Sequence, residues 1–159
     1  MNKNLWAPWR MDYIKSKKDE CFLCKAIAST NDKESLILYR GATSSIIMNK
    51  YPYSSGHLMV IPNRHTDDLT SLSDEELYEI NQLTNKCIYA LKKVFNPAGF
   101  NIGYNIGKAA GAGLAAHLHR HILPRRDGDA NFITTLGGIR VIPELLDDQY
   151  DKLYPVLNS

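Results

Sequence analysis

An α+β domain built on a five-stranded antiparallel sheet, with one long helix and a C-terminal helix, is the fold class this 159-residue sequence predicts. Three observations lead there. Five short apolar or β-branched runs are set apart by turn residues, mostly at hairpin spacing. A single segment, residues 73–95, carries a long helical period, and a second helical pattern closes the chain.

Residues 35–40 and 44–49 are the first two strands, joined by Gly41, Ala42 and Thr43 as a hairpin. The Pro-, Ser- and Gly-rich stretch 50–56 is a loop, and residues 57–61 form a third strand that stops at Pro62. Ser73 is an N-cap with Glu76 three residues on, followed by Leu77, Ile80, Leu83, Cys87 and Leu91 at helical spacing. Asn96, Pro97 and Gly99 end that helix. Residues 100–106 alternate as a fourth strand and run into a glycine-rich loop, 107–113, whose backbone can approach a ligand closely. Residues 117–123 make the fifth strand before Pro124, and residues 143–157 a terminal helix that opens on Pro143. Without repeat, low-complexity tract or linker, residues 1–159 read as one domain: an arm over 1–20 carrying Trp6 and Trp9, a core over 21–125, and a C-terminal extension over 126–159. The indoles of the arm suit it to cover an apolar patch of the body or of a second subunit, or to contact substrate.

Nineteen Lys and Arg against seventeen Asp and Glu leave a net charge of +2, too little bias to predict nucleic acid or a membrane surface as partner. Small anionic ligands stay open. Apolar runs are too short to span a bilayer and the first nineteen residues carry no signal-like apolar stretch, so a cytoplasmic protein is expected. In a reducing compartment Cys21 and Cys24, a C-x-x-C pair, read as metal site, redox pair or incidental thiols, and Cys87 as a core thiol on the helix stripe.

His117, His119 and His121 alternate along the fifth strand, and a period of two places their imidazoles on one face. The remaining histidines, His57 and His65, flank the third strand, which could lie beside the fifth. Imidazole, with its ordinary pKa near 6.5, serves as nucleophile, base, acid or metal ligand near neutrality. A row of sheet histidines without chemistry is the bland alternative. A single catalytic metal is a second one, limited because alternate strand residues stand about 6.5–7 Å apart and cannot all reach one ion.

The run His117-Leu118-His119-Arg120-His121-Ile122-Leu123-Pro124-Arg125 resembles the H-x-H-x-H-x-x signature of the histidine-triad superfamily. Asn49, the segment 56–62 and the segment 101–111 follow that family's order, and Asp129 to Thr134, Gly137-Gly138 and Val141-Ile142-Pro143 resemble its diadenosine tetraphosphate phosphorylase branch. The resemblance implies nucleotidyl transfer or hydrolysis at an α-phosphorus, with His119 as nucleophile, His121 and His57 on the phosphate oxygens, and the backbone of Gly111, Ala112 and Gly113 on the developing charge. It places Asn49 at the ribose and Asn105 on the phosphate side. It also implies a structural zinc on Cys21, Cys24, His65 and His117, bracing the strand that carries His119, and a homodimer. The second ring nitrogen of His119 is expected to donate to a backbone carbonyl. Two departures bear on this. Arg120 stands where relatives carry an apolar residue, implying a wet face or a subunit contact. Gly113 stands where related phosphorylases carry a hydroxyl, so phosphate and water both stay open as acceptor. A nucleoside phosphoramidate hydrolase and a non-catalytic nucleotide-binding adaptor are the other functions compatible with the pattern.

Overall fold

A computed structural model describes residues 21–129 and 142–159. The arm with Trp6 and Trp9, and most of the 129–143 motif, lie outside the described residues. The element order is α1 (Phe22–Ala28), α2 (Asp32–Ser35), β1 (Ile37–Arg40), β2 (Ser44–Met48), β3 (Leu58–Pro62), α3 (Asp74–Phe95), β4 (Gly99–Tyr104), β5 (Arg120–Arg125) and α4 (Leu146–Leu157). The five strands form one sheet in the order β1-β2-β3-β5-β4, every neighbouring pair antiparallel. The expected fold class is the observed one.

The sheet divides the core in two. On one face Ile46, Met48, Leu58, Val60 and Ile122 meet the stripe of α3, and Tyr150, Leu153 and Leu157 of α4 join them. On the other, Ile37, Ile47, Met59 and Ile61 are covered by Leu23 and Ala26 of α1. This is the alternation a strand buried on both faces requires. α3 opens on the expected capping box: Ser73 Oγ accepts from the Glu76 N–H, and a Glu76 carboxylate oxygen accepts from the Ser73 N–H. One turn on, Glu79 accepts from the N–H groups of Ala42, Thr43 and Ser44, which ties the β1–β2 turn to α3.

Three of the boundaries that differ from the sequence reading have a visible cause. β5 begins at Arg120, not at 117, because the polar groups just upstream are taken by the loop after β3: the Leu118 N–H donates to Thr66 O at 2.7 Å and His117 Nε2 to Pro62 O at 2.9 Å. α4 begins at Leu146 rather than at Pro143, since the Glu144 carbonyl accepts from the Gln149 side chain instead of starting a turn. β1 starts at Ile37, after Leu36 turns the chain at φ 61°. The short helices α1 and α2 are additional. α1 buries only Leu23 and Ala26, one i,i+3 pair, too little pattern to register as a helix.

Candidate active site and metal centre

The register of the β3, β5 and β4 ladders gathers the histidines. Met59 opposes His121, and Gly103 opposes His121 from the other side. Both ladders stop at Arg120, so His119 is the first residue beyond β5, and by continuation of the register Asn105 stands across from it. His57 sits just before β3 at the end of a tight loop. Gly56 makes that loop at φ +82°, where a Cβ would come within 3.0 Å of Leu91 and 3.1 Å of Pro124. The Gly56 N–H donates to the fully buried Gln149 at 2.7 Å, so α4 sets the position of His57.

His117 does not share the environment of its two neighbours in sequence. Its Nδ1 lies 3.3 Å from Cys21 Sγ and 3.5 Å from Cys24 Sγ, while His65 Nδ1 lies 3.3 Å from Cys24 Sγ. The four donor atoms all lie within 4.8 Å of one another. Tetrahedral zinc with Zn–S near 2.3 Å and Zn–N near 2.0–2.1 Å needs ligand atoms roughly 3.3–3.8 Å apart, so these residues fit that ion. Pro62 O can only accept, so the His117 Nε2 carries the ring hydrogen and its Nδ1 presents a lone pair to the sulfurs. Burial lowers the His117 pKa, which keeps that lone pair available. Burial raises the Cys24 thiol, with Cys21 adding to the shift, so without a cation that thiol holds its proton.

The other three imidazoles form a directed chain. The Tyr53 N–H donates to His57 Nδ1 at 3.1 Å, and the Asn49 amide nitrogen is 3.4 Å from the same atom, so His57 carries its hydrogen on Nε2. That Nε2 lies 2.9 Å from His121 Nδ1 and donates to it. Burial, with His119 as second cause, pushes the His121 pKa down to about 4, so His121 is neutral and its remaining hydrogen is on Nε2. Asn105 Nδ2 lies 3.4 Å from that atom, and since both carry hydrogen the Asn105 amide accepts there only with its oxygen turned to His121. His119 Nδ1 donates to the carbonyl of His117 at 2.8 Å, the backbone acceptor expected from sequence, and its Nε2 therefore carries a lone pair. The His119 and His121 rings meet edge to face at 4.8 Å between centroids.

Two sequence expectations need correction. The three alternating imidazoles do not share one face as a row: the His117 ring packs edge-on against His65 at 5.2 Å, because it lies outside the strand and its nitrogens go to the cysteines and Pro62. His119, expected on an open strand surface, is only 8% exposed. Arg120 finds its partners within the chain, donating to Asn81 Oδ1 at 2.7 Å and Thr84 Oγ1 at 3.2 Å on α3. Gly107 and Gly111 adopt φ +80° and +85°, with a short 3₁₀ turn, Lys108–Ala110, between them. Gly111 and Gly113 are exposed and Ala112 half-buried; no Cβ contact restrains Gly111, so its positive φ is what calls for glycine.

Sequence reasoning missed an open pocket of about 350 Å³ lined by Phe22, Lys25, Ala26, Ile47, Met48 and Lys50. Met48 and Lys50 flank Asn49, so the pocket adjoins the residue assigned to the ribose. The exposed Phe22 ring on α1 was its one signal in the sequence. The backbone acceptors Pro62 O, Thr66 O and His117 O carry no residue-type signal and could not be found that way.

A family model described as the HIT domain matches residues 30–128. AP-4-A phosphorylase of Mycobacterium tuberculosis is 43% identical over 155 residues, covering 92% of this chain and 80% of that protein. Bis(5′-nucleosyl)-tetraphosphatase (asymmetrical) of Schizosaccharomyces pombe is 35% identical over 95 residues, covering 60% of this chain and 52% of that protein. Among solved structures, a Zn-bound histidine triad family protein from Mycobacterium smegmatis superposes with a TM-score of 0.69 at 27% identity, covering 87% of this chain and 94% of that one. On the family match and the extent of these likenesses, the chain belongs to the HIT domain family.

Proposed function

We propose that this protein cleaves dinucleoside polyphosphates of the diadenosine tetraphosphate type at the α-phosphorus, by way of a covalent nucleotidyl-His119, with phosphate as the final acceptor. The observation that carries the reading is the 2.8 Å bond from His119 Nδ1 to the His117 carbonyl, which leaves Nε2 as a nucleophile beside a neutral, hydrogen-bearing His121. The likeness to AP-4-A phosphorylase supports the substrate class.

In the first step Nε2 of His119 forms a bond to the α-phosphorus as the bond from phosphorus to the bridging oxygen breaks. ATP leaves with that electron pair, and AMP stays on the histidine. In the second, a phosphate oxygen attacks the same phosphorus, the N–P bond breaks, and ADP departs with His119 restored. His121 Nε2–H donates to a phosphate oxygen whose charge grows in the transition state; His57, which the resemblance puts on those oxygens, has its Nε2 on His121 Nδ1 instead and holds His121 in the tautomer that can do so. Asn105 and the backbone of Gly111, Ala112 and Gly113 line the phosphate side. Asn49 takes the ribose, and the Phe22 pocket takes the base. Cys21, Cys24, His65 and His117 hold a zinc ion with four protein donors. Such an ion leaves no open position for substrate and serves to fix the fold around it.

Hydrolysis by the same nucleophile is the second reading, supported by Gly113 in place of a hydroxyl residue and by the likeness to the asymmetrical tetraphosphatase. A homodimer joined along β4, an edge strand whose Ile102 is 44% exposed, is part of the proposal. Incubation with diadenosine tetraphosphate with and without orthophosphate decides the acceptor. ADP plus ATP, formed only with phosphate, is the expected result. AMP plus ATP regardless of phosphate moves the reading to hydrolysis, and no cleavage overturns it.

A further inference from the structure

The steps above leave unused a charged pair at the start of α3. Arg64 Nε donates to Glu76 Oε1 at 2.7 Å and Nη2 to Oε2 at 3.1 Å, a two-pronged contact, and Nη2 also donates to Ser71 O at 2.7 Å. Glu76 is 7% exposed. Arg64 belongs to the loop after β3, whose first residue, Asn63, is itself tied down: its N–H donates to Thr43 O at 2.7 Å, and its Oδ1 accepts from Ser45 at 2.7 Å.

That loop supplies what the sheet does not. The β3–β5 and β4–β5 ladders both end at Arg120, so His119 lies one residue past the paired strands. The residues before it are held instead by Pro62 O and Thr66 O, which accept from His117 Nε2 and from the Leu118 N–H, and by Leu118 in the core. The His117 carbonyl then sets the His119 ring. We propose that Arg64 and Glu76 are positioning residues for His119, acting as one clamp through residues 62–66 and the His117 carbonyl. The proposal rests on the assignment of His119 as nucleophile. A clamp of this kind acts on the attack geometry and not on substrate affinity, and groups that orient a reacting group through another are worth about 10- to 100-fold.

The test uses the full-length, zinc-loaded protein with diadenosine tetraphosphate, and reads KM, kcat and the ¹⁵N resonances of the His119 ring. Arg64→Ala and Glu76→Gln are each expected to lower kcat about 10-fold with KM within about twofold. The double variant should be no slower than either single one, and Arg64→Lys should recover part of the rate. In the slowed variants the His119 ring should lose its single Nδ1–H tautomer. Unchanged kcat, losses that multiply in the double variant, or a wild-type His119 spectrum in a slowed variant would each overturn the clamp. If Arg64→Ala does not fold, Arg64→Lys carries the same comparison with a smaller loss. Wild-type protein without turnover would overturn the functional reading, while the ring spectra would still decide whether the clamp sets the His119 tautomer.

Discussion

His65 and His117 turn Nδ1 toward two cysteine sulfurs, whereas His57, His119 and His121 are linked to one another and to the backbone. The two groups meet in a single residue. The His117 ring belongs to the cysteine cluster, and its carbonyl accepts from His119. Five chemically identical side chains thus divide by what claims one nitrogen of each ring. A carbonyl on His117 Nε2 leaves the Nδ1 lone pair facing the cysteines, while a carbonyl on His119 Nδ1 leaves the lone pair on Nε2. The first region should therefore govern stability and the second turnover.

The sharpest way to break that division is His119→Ala, expected to lower kcat by about 10⁴-fold. The imidazole is buried at 8% exposure but lies outside both core clusters, so the stability loss should stay near 1–2 kcal/mol in denaturant titrations. Next comes Cys24→Ser. Loss of one of four donors should cost about 3 kcal/mol or more of stability in the zinc-loaded protein and lower the bound zinc measured by elemental analysis. A Cys24→Ser protein that kept its metal and its unfolding midpoint but lost turnover would erase the distinction between the two regions.

His121→Gln removes the Nε2–H donor while keeping a polar side chain, and about 100-fold in kcat is the expected loss, with KM little changed. Phe22→Ala works the other way. Its ring is 48% exposed, so stability should move by less than about 0.5 kcal/mol while KM for a dinucleoside tetraphosphate rises about 10-fold. The last effect concerns pH. His121 has its folded value lowered to about 4, so both folded and unfolded chains are neutral there above the ordinary value near 6.5. Between that value and about 4 the unfolded chain takes up a proton that the folded chain refuses, and stability falls as pH falls. Urea midpoints at pH 7 and pH 5 should show the drop, and His121→Gln should shrink it.

Much of this was legible beforehand because it rests on periodicity and capping. The α3 capping box at Ser73 and Glu76 and the strands around Ile46 and Val60 have residue-type signals in order along the chain, whereas the Cys21/Cys24/His65/His117 grouping was implied by the family resemblance. The division of the triad was carried by the family resemblance and not by alternation. Alternation placed His117, His119 and His121 together, yet β5 starts at Arg120, because main-chain groups of Pro62 and Thr66 claim the preceding residues. A carbonyl is present at every position of every sequence, so its choice of partner is settled only by the tertiary arrangement. The Arg64–Glu76 pair was hidden for a related reason: Glu76 was already accounted for as the N3 residue of a cap, and nothing in the residue order joins it to Arg64 twelve positions earlier.

The central claim is that Nε2 of His119 takes the nucleotidyl group. Rapid quenching into base preserves an N–P bond to histidine, so the protein mixed with labelled diadenosine tetraphosphate for milliseconds and then digested should yield AMP on the peptide carrying His119. Its appearance should precede product release, and it should vanish in His119→Ala. Products formed at full rate with no label on protein, or label recovered on a different residue, would contradict the account.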